Sequence, residues 1–493
     1  MDSAAKKMVL VSLFLGDVVG VPPLGPLYLA TALTKNGFGA KIIHRKAEEI
    51  EAVISEIESY RPDLVGMSVF TGYNNIAYAE LCRKLKNRGY KIVLGNAHPS
   101  LLPEDSLRED YVDFVVMGEG EETLVELMQN FGDESKYSSI LGLGWKDGEG
   151  RIFINPERNF IANLDDYLID WSLINVEDYL IPYFFKFKRV FTVTTSRGCP
   201  FNCQFCYNQV FNKRRWRAHS PEKVIENLKP LIEKFKIDGI RFFDDNFFVN
   251  KERAFKIVNA LGLPYFAEAR VEFVDEEFVR RLKESKCQEV MFGFESGSDR
   301  ILSEVVKKGT TTKEIIRAVT LFKDTGMVAS GSFVFGFPTE TAEEYKETMK
   351  FIVKLLEINK NLAFTCGWYL PFPGTGLYDK AKELGFVPPA RIEDWEKFNR
   401  WRQDYEMEWI TWDYKKAVKF TRQIVNLLAM AYKRDISPLK FLLKKRVENL
   451  NFSFPFDIYI FSRIRDIYLY SGEKSSANRV IKKIISTIVK FRK

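Results

Sequence analysis

Short apolar runs alternate with longer amphipathic stretches along the first 130 residues of the chain. The amphipathic stretches have the spacing of helices, and each ends near a glycine or a proline. Five apolar runs are predicted as strands, at residues 9–14, 40–44, 64–69, 92–94 and 114–117. Strands and helices in alternation predict an α/β fold with a doubly wound parallel sheet, whose ligands bind at the carboxyl ends of the strands.

A second alternating series begins at about residue 190 and has six strand candidates. Helical patterns separate these candidates at a spacing typical of βα units. The predicted strands are residues 190–195, 240–243, 265–269, 289–294, 329–335 and 363–370. Six βα units predict a partial (β/α)6 barrel, with its site in the loops that follow the strands.

These patterns divide the chain into four parts. Residues 1–135 hold the first series and residues 186–385 hold the second. Residues 136–185 are mixed and polar, with a hairpin predicted around Asp147-Gly148, and are interpreted as a linker. Residues 386–493 have a mostly helical pattern and include an aromatic, charged stretch that is predicted to cover one mouth of the barrel. Its tryptophans are Trp395, Trp401, Trp409 and Trp412.

Positive charge is concentrated at the C-terminal end of the chain. The net charge is +7, but residues 415–493 contain 19 Lys and Arg against 5 Asp and Glu, so this tail carries +14 and the remainder carries −7. An apolar stripe at helical spacing, residues 480–489, is flanked by lysines and an arginine. Two interpretations stay open: a packed helix with a solvated basic face, and an interfacial helix drawn to anionic lipid headgroups. No nucleic-acid recognition motif is found, so no nucleic-acid partner is expected.

The composition indicates a reducing compartment. Six cysteines in 493 residues are too few for a disulfide framework, so the expected location is the cytoplasm, with peripheral membrane contact if the basic tail binds lipid. The apolar run after Lys6-Lys7 is interrupted by Asp17 and lacks a small-residue cleavage site, which favours a buried strand over a signal peptide. No apolar run reaches the ~18 residues of a membrane-spanning helix.

Three of the six cysteines, Cys199, Cys203 and Cys206, fall within eight residues, directly after the first predicted strand of the second series. Thiolates at this spacing can close on one face of an iron–sulfur cube and leave the fourth iron without a protein ligand. An iron with an open coordination position can bind and activate a substrate, as the open coordination position of a catalytic zinc site does. The spacing alone leaves two alternatives, a zinc site with a ligand from elsewhere and a chance cluster.

The residues around these cysteines resemble the radical S-adenosylmethionine (SAM) superfamily. The most specific match is SRGCPFNCQFCYN, and RFFDDNF, FAEARV, GFESGSD and VFGFPTET follow the later strands in the superfamily's order. The resemblance covers about residues 186–385 and favours an iron–sulfur cluster over zinc. It implies a [4Fe-4S] cluster on the three cysteines. It also implies SAM contacts at Phe205, Asp244, Asp245, Arg270, Glu295 and Gly336.

The first series resembles the cobalamin-binding domain that precedes many radical SAM enzymes. The matching stretches are PPLGPLYLATAL, GNAHPSLLPED and GEGEET, over about 130 residues. The Asp-x-His-x-x-Gly motif of mutases and methionine synthases is absent, so bound cobalamin is expected to lack a histidine ligand from it. His98 lies in a different turn and is interpreted as a hydrogen-bonding residue rather than a cobalt ligand. The implied cobalamin contacts are Leu24, Gly25, Ser68, Thr71, Gly72, Gly95, Asn96, His98, Gly118, Glu119 and Gly120.

Together the two resemblances imply a cobalamin-dependent radical SAM enzyme. In such enzymes SAM chelates the open iron, and an electron from the reduced cluster splits SAM into methionine and a 5′-deoxyadenosyl radical. The expected reaction is methylation of an unactivated carbon by way of cobalamin. The implied partners are a flavodoxin- or ferredoxin-type electron donor and a small-molecule or lipid-like substrate.

Three alternative functions stay open. Ring formation or rearrangement would use the same cofactors. A methylthiotransferase needs cluster cysteines in its N-terminal domain, where this chain has only Cys82, and the helical tail differs from the usual β-rich RNA-binding domain. A cobalamin-binding protein without turnover is the third alternative, and the complete set of barrel motifs argues against it.

Overall fold

The structure is a computed structural model that describes residues 5–16, 20–183, 186–398 and 406–449. The predicted apolar stripe at 480–489 and Trp401 lie outside these residues. The chain divides into two compact units. The first takes in the described residues of Met1–Ala267, Leu370–Asp379 and Val387–Glu406, and the second those of Glu268–Tyr369, Lys380–Phe386 and Met407–Lys493.

The first unit begins with a seven-stranded sheet. Its strands are β1 (Lys7–Phe14), β2 (Gly39–Lys46), β3 (Leu64–Ser68), β4 (Ile92–Gly95), β5 (Phe114–Val116), β6 (Leu143–Lys146) and β7 (Ile152–Ile154). The order is β2-β1-β3-β4-β5-β6-β7. Strands β1 to β5 pair in parallel, whereas β6 and β7 are the hairpin predicted around Asp147-Gly148 and extend the sheet antiparallel.

Six helices accompany this sheet: α1 (Leu24–Lys35), α2 (Ile50–Tyr60), α3 (Asn75–Lys86), α4 (Ala97–Leu101), α5 (Pro103–Arg108) and α6 (Glu121–Asn130). Alternate residues of β1 enter two different apolar clusters, Val9 and Val11 in one, Met8 and Leu10 in the other. A strand buried on both faces reads as a continuous apolar run, which is why the sequence pattern located it. The prediction of a doubly wound parallel sheet is confirmed.

The first unit continues into the barrel. Its barrel strands are β8 (Ile181–Tyr183), β9 (Phe187–Val193) and β12 (Gly239–Phe242), and β13 (Tyr265–Ala269) begins in the first unit and ends in the second. Strands β10 (Ser196–Arg197) and β11 (Arg217–Ala218) form a separate two-stranded sheet, and the helices here are α7 (Pro221–Phe235) and α8 (Lys251–Leu261). Strand β12 pairs in parallel with β9 and with β13. The short ladder of β10 and β11 is antiparallel and brackets the cysteine loop, residues 198–216.

The second unit carries three further parallel strands, β14 (Cys287–Glu295), β15 (Val328–Phe335) and β16 (Leu362–Trp368), paired in that order. The remaining helices are α9 (Glu276–Glu284), α10 (Thr312–Leu321), α11 (Ala342–Ile358), α12 (Gly376–Glu383), α13 (Lys415–Lys433) and α14 (Ser437–Glu448). Six parallel strands, each followed along the chain by a helix, confirm the partial (β/α)6 barrel, and α13 and α14 confirm a helical region after it. No helix in the described ranges is long and apolar enough to cross a membrane.

Candidate active site

The three clustered cysteines lie in the cysteine loop, between β10 and β11. Cys203 is buried, and Cys199 and Cys206 are half-buried. The backbone N–H of Cys206 donates to the carbonyl of Cys203 at 3.0 Å. Burial and the neighbouring Asp245, Cys203 and Cys199 raise the pKa of the Cys206 thiol to about 12, against a backbone hydrogen bond from Asn208 that lowers it. Cys199 and Cys203 therefore lie close enough to Cys206 to affect its charge, and three such thiolates require a positive centre.

That donor set fits an iron–sulfur cube. In the described part of the chain, no three His, Cys, Asp or Glu side chains surround one point as the ligands of a single metal ion would. In a cube each thiolate binds a different iron, so convergence on one point is not required.

Two adjacent carboxylates hold the start of the cysteine loop and Tyr207 within it. Asp244 Oδ1 accepts hydrogen bonds from Thr195 N and Oγ1, both at 3.0 Å, and from Ser196 Oγ at 2.5 Å. Asp245 accepts from Gly198 N at 3.0 Å and, on its other oxygen, from the Tyr207 hydroxyl at 3.1 Å. The pair that the sequence assigned to SAM therefore also fixes the loop.

Asp244 retains one oxygen for a ligand. Its Oδ2 is buried and has no hydrogen-bond partner among the described residues. Burial raises the pKa of this carboxyl, which hydrogen bonds from Ser196 and Thr195 and the charge of Arg253 partly oppose. An orphaned buried acceptor fits the ammonium group of SAM.

Two further residues define the shape of the loop. Gly198 has φ +80°, and a Cβ there would lie 2.1 Å from the carbonyl oxygen of Arg215, so only glycine fits. Arg253, on α8, is buried and donates to the carbonyl oxygens of Thr195 and His219, each at 2.7 Å. Phe205 is half-buried within the loop, between two of the cysteines.

The sequence-predicted cobalamin contacts lie in turns and helix starts at the carboxyl ends of the strands. Leu24 and Gly25 begin α1, Gly72 follows β3 with φ +75°, and Gly120 caps α6. Ser68 Oγ accepts from Asn96 Nδ2 at 3.0 Å.

The glycines of this edge leave room for a ligand. A Cβ added at Gly25, Gly95 or Gly118 would meet no atom within 4 Å. Open space beside small residues fits a bulky, flat cofactor such as cobalamin.

His98 and Thr71 contact each other beneath that edge. His98 is 1% exposed, with Nδ1 3.1 Å from Thr71 Oγ1, and its ring meets Trp395 edge-on at 5.7 Å. Burial lowers the pKa of His98 to about 4. The imidazole is thus neutral and packed, as its interpretation as a hydrogen-bonding residue requires. A cobalamin contact at His98 stays a prediction.

Glu119 lies in the turn between β5 and α6. Its carboxylate accepts from Arg197 Nη1 and from Arg217 Nη1, both at 2.7 Å, and from the backbone N–H of Ile161 at 2.7 Å. Glu121 Oε1 accepts from Arg197 Nη2 at 2.6 Å. Burial would raise the pKa of Glu119, but the two guanidinium groups outweigh burial and lower it. An ionised, fully engaged carboxylate therefore sits within the predicted cobalamin turn.

Three predicted SAM contacts lie in the second unit. Arg270 is buried, donates to the carbonyl of Lys308 and pairs with Glu272. Glu295 has φ +59° and pairs with Lys308 Nζ at 2.9 Å, with both side chains 6% exposed. A non-glycine residue in this conformation is strained, which is common at functional sites.

Gly336 is the third of these contacts. It has φ +74°, and a Cβ there would lie 2.7 Å from Trp368 Cε3. Its carbonyl accepts from Trp409 Nε1 at 2.8 Å, and its N–H donates to Glu340 Oε2 at 2.5 Å. Burial raises the pKa of Glu340 to about 8. Close packing allows only glycine, beside a neutral buried acid.

Sequence reasoning missed the side chains that support these sites: Tyr28, Glu121, Arg197, Arg217, Arg253, Lys308 and Glu340. Position in the chain offered one signal, since Arg197 stands two residues before Cys199 and Glu121 two after Glu119. Their partners lie far away in the sequence, so the pattern around each residue does not reveal them.

Two family models match the chain, the radical SAM superfamily at residues 193–352 and the B12 binding domain at residues 18–128. An uncharacterized methyltransferase from Pyrococcus horikoshii is 37% identical over 380 residues, which are 74% of this chain and 80% of that protein. The anaerobic magnesium-protoporphyrin IX monomethyl ester cyclase of Rubrivivax gelatinosus is 27% identical over 395 residues, 77% of this chain and 68% of the cyclase.

Among solved structures, the cobalamin-dependent S-adenosylmethionine radical enzyme OxsB with aqua-cobalamin bound has the same fold. The TM-score is 0.67 over 99% of this chain and 80% of that chain, at 20% identity. The chain belongs to the family of cobalamin-dependent radical SAM enzymes and is methyltransferase-like. Its cofactors are a [4Fe-4S] cluster, SAM and cobalamin.

Proposed function

We propose that this enzyme methylates an unactivated carbon of a small-molecule or lipid-like substrate. When bound, the cluster and SAM supply a 5′-deoxyadenosyl radical and cobalamin carries the methyl group. The observation that carries the proposal is the ion pair of Glu119 and Arg197, at 2.7 Å. It joins the turn assigned to cobalamin to the loop assigned to the cluster, as transfer of a methyl group to a radical centre requires.

Each group of site residues has a role in this proposal. The thiolates of Cys199, Cys203 and Cys206 hold the cluster. Asp244 accepts the ammonium group of SAM on its unpartnered Oδ2 while its other oxygen holds the loop. Asp245 fixes the loop through Gly198 N–H.

The remaining SAM and cobalamin residues keep their sequence-based roles. By the resemblance, Phe205 would contact the adenine of SAM, Arg270 would bind its carboxylate, and Glu295 would contact its ribose or amino group. Gly336 keeps its sequence-based role as a SAM contact, and the open space beside Gly25, Gly95 and Gly118 lets a flat cofactor approach the backbone of the first sheet.

Cofactor analysis and labelled SAM test the proposal. Anaerobically purified enzyme is expected to contain about four irons and one corrin, to release 5′-deoxyadenosine after reduction, and to transfer label from the SAM methyl group to product. Cys206→Ala should lose the cluster, whereas Cys366→Ala, which changes a half-buried cysteine on β16, should keep it. Full iron content without 5′-deoxyadenosine would favour a cobalamin-binding protein without turnover.

Ring formation is the second candidate, and the similarity to the cyclase of Rubrivivax gelatinosus favours it. The same assay separates the two reactions. A cyclisation product loses hydrogen and gains no labelled methyl group, while 5′-deoxyadenosine still forms.

An external flavodoxin- or ferredoxin-type donor is part of the proposal, since a radical SAM cluster must be reduced before each cleavage of SAM. Cytoplasmic location, with peripheral membrane contact through the basic residues 415–493, is a further part. Replacing Arg479, Lys482 and Lys483 together by Gln in the full chain should reduce sedimentation with anionic liposomes. Equal sedimentation of both chains would remove the membrane contact and leave the chemistry unaffected.

A further inference from the structure

We infer that the buried ion-pair cluster of Glu119, Glu121, Arg197 and Arg217 is a positioning device that sets the place of the cysteine loop relative to the cobalamin turn. This inference rests on the proposed function, because it assumes that the loop holds the cluster and that the turn borders cobalamin. The four residues are called the bridging cluster below.

The bridging cluster is closely packed and neutral as a whole. Three contacts join two carboxylates to two guanidinium groups, at 2.7, 2.6 and 2.7 Å. The side chains are between 3% and 18% exposed. Charge-assisted contacts of this length in a buried site hold their partners more rigidly than exposed pairs do.

The bridging cluster joins the two places where the reaction needs precision. Glu119 stands between Gly118 and Gly120, in the turn after β5. Arg197 stands two residues before Cys199, and Arg217 lies opposite it in the ladder of β10 and β11. Glu119, in the turn, therefore holds both strands from which the cysteine loop extends, and Glu121, at the start of α6, also binds Arg197.

A second contact runs from helix α1 to the same arginine. The guanidinium of Arg197 lies over the ring of Tyr28, 4.3 Å from its centroid. The Tyr28 hydroxyl lies 3.2 Å from His219 Nε2, just beyond β11. Helix α1 begins with Leu24 and Gly25, so another element of the cobalamin edge contacts the strands of the cysteine loop.

The helix that follows the turn offers a matched control. Arg158 pairs with Glu122 at 2.9 Å and with Glu126 at 2.5 Å, and its side chain is 13% exposed. These carboxylates lie on α6, as Glu121 does, but bind no residue of β10 or β11 in the described structure. The side chains of Glu122 and Glu126 are 42% and 39% exposed, so the control is a partly exposed arginine–carboxylate pair on α6. A loss of stability common to such pairs should appear in the control, and a loss of positioning should not.

The test uses the distance between the two cofactors. Full-length enzyme and the variants Glu119→Gln, Arg197→Lys and Arg158→Lys are loaded with cluster and cobalamin, and iron and corrin are counted. The electron paramagnetic resonance spectrum is then recorded with the cluster reduced and cobalt in the Co(II) state. Interaction between the two spins falls with the inverse cube of their separation, so it reports position independently of turnover.

We expect a defined spin–spin splitting in the unaltered enzyme and in Arg158→Lys, and its loss or broadening in Glu119→Gln and Arg197→Lys at equal loading. Native splitting in the last two variants would overturn the inference. If Glu119→Gln does not fold, the splitting in Arg197→Lys alone decides. This variant keeps the positive charge but loses the planar fork of donors that a guanidinium presents. Failure of the unaltered enzyme to load either cofactor would instead refute the proposed function.

Discussion

Two largely buried glutamates in different regions of this enzyme differ in charge, because Glu119 is ionised and Glu340 is neutral. Glu119 follows β5, the fifth parallel strand of the first sheet, and Glu340 follows β15, the fifth parallel strand of the barrel. Their side chains are similarly protected, at 9% exposure for Glu119 and 3% for Glu340 as a whole residue. Two arginines lower the pKa of Glu119, whereas burial raises that of Glu340 to about 8.

The difference teaches that burial alone does not decide charge. Arg300, a cation that could offset the burial of Glu340, is bound to Glu344 by two contacts of 2.7 Å. Glu340 keeps its proton because burial and the charge of Glu344 raise its pKa by more than the backbone N–H of Gly336 and the charge of Arg300 lower it. Glu119 is ionised because two guanidinium groups are directed at it.

The largest expected effect is on the pH dependence of the free energy of unfolding, and it comes from the neutral Glu340. The folded protein keeps a proton on this residue that the unfolded chain releases above its ordinary pKa of 4.5, so the free energy of unfolding should fall as pH rises from 4.5 to about 8. The expected total is roughly 5 kcal/mol. Glu340→Gln cannot lose a proton and should remove this fall. Urea denaturation of both proteins across that range measures it, and identical pH slopes would contradict it.

The next largest effect is the loss of stability when the ionised Glu119 is replaced, compared with the same replacement of the neutral Glu340. Glu119→Leu leaves Arg217 without a carboxylate partner and Arg197 with Glu121 alone, and should destabilise the fold by about 3–5 kcal/mol. Glu340→Leu leaves the backbone N–H groups of Gly336 and Phe337 without the carboxyl, but no buried charge without a partner, and should have a smaller effect, of about 1–3 kcal/mol. Thermal unfolding at pH 6 compares the two variants. A greater loss of stability in Glu340→Leu than in Glu119→Leu would contradict the assignment of Glu119 as ionised and Glu340 as neutral.

A third prediction concerns His98 in the first unit, where the free energy of unfolding should depend on pH with the opposite sign to that expected for Glu340. The pKa of His98 is lowered from 6.5 in the unfolded chain to about 4 in the folded protein. As the pH falls from 6.5 to 4, the unfolded chain therefore binds a proton that the folded protein does not, and the free energy of unfolding decreases. The expected total is roughly 3 kcal/mol. His98→Gln should be less sensitive to acid than the unaltered enzyme. Equal loss of stability in both at pH 5 would count against a neutral His98.

Much of the fold followed from the sequence, and less of the site did. The predicted strand at 64–69 is β3, Leu64–Ser68, and the predicted strand at 240–243 is β12, Gly239–Phe242. Apolar periodicity is a local property, so a short window contains the information. The motif GEGEET marked Glu119 as a cobalamin contact, but nothing near it in the sequence indicated an ion pair with Arg197, which is 78 residues away.

The smallest expected effect is the loss of stability when Thr341, the helix cap next to Glu340, is replaced. Thr341 caps α11: its Oγ1 accepts from Glu344 N at 3.2 Å, and the Glu344 carboxylate accepts in return from Thr341 N at 3.0 Å. Thr341→Ala should lower the free energy of unfolding by about 1 kcal/mol. Thr311→Ala, in the equivalent cap of α10, should cost about as much. A loss several times larger at Thr341 alone would mean that the cap also supports Glu340.

The sequence by itself determined the order of strands and helices, the cysteine spacing and the family-specific motifs. These depend on side-chain periodicity, capping and turn chemistry within a few residues. Only the tertiary structure decided which buried groups are charged, that Asp244 holds the loop with one oxygen and keeps the other unpartnered, and that Glu119 binds Arg197 and Arg217. Desolvation and ion pairing act through space, so they depend on residues that the chain brings together from distant segments.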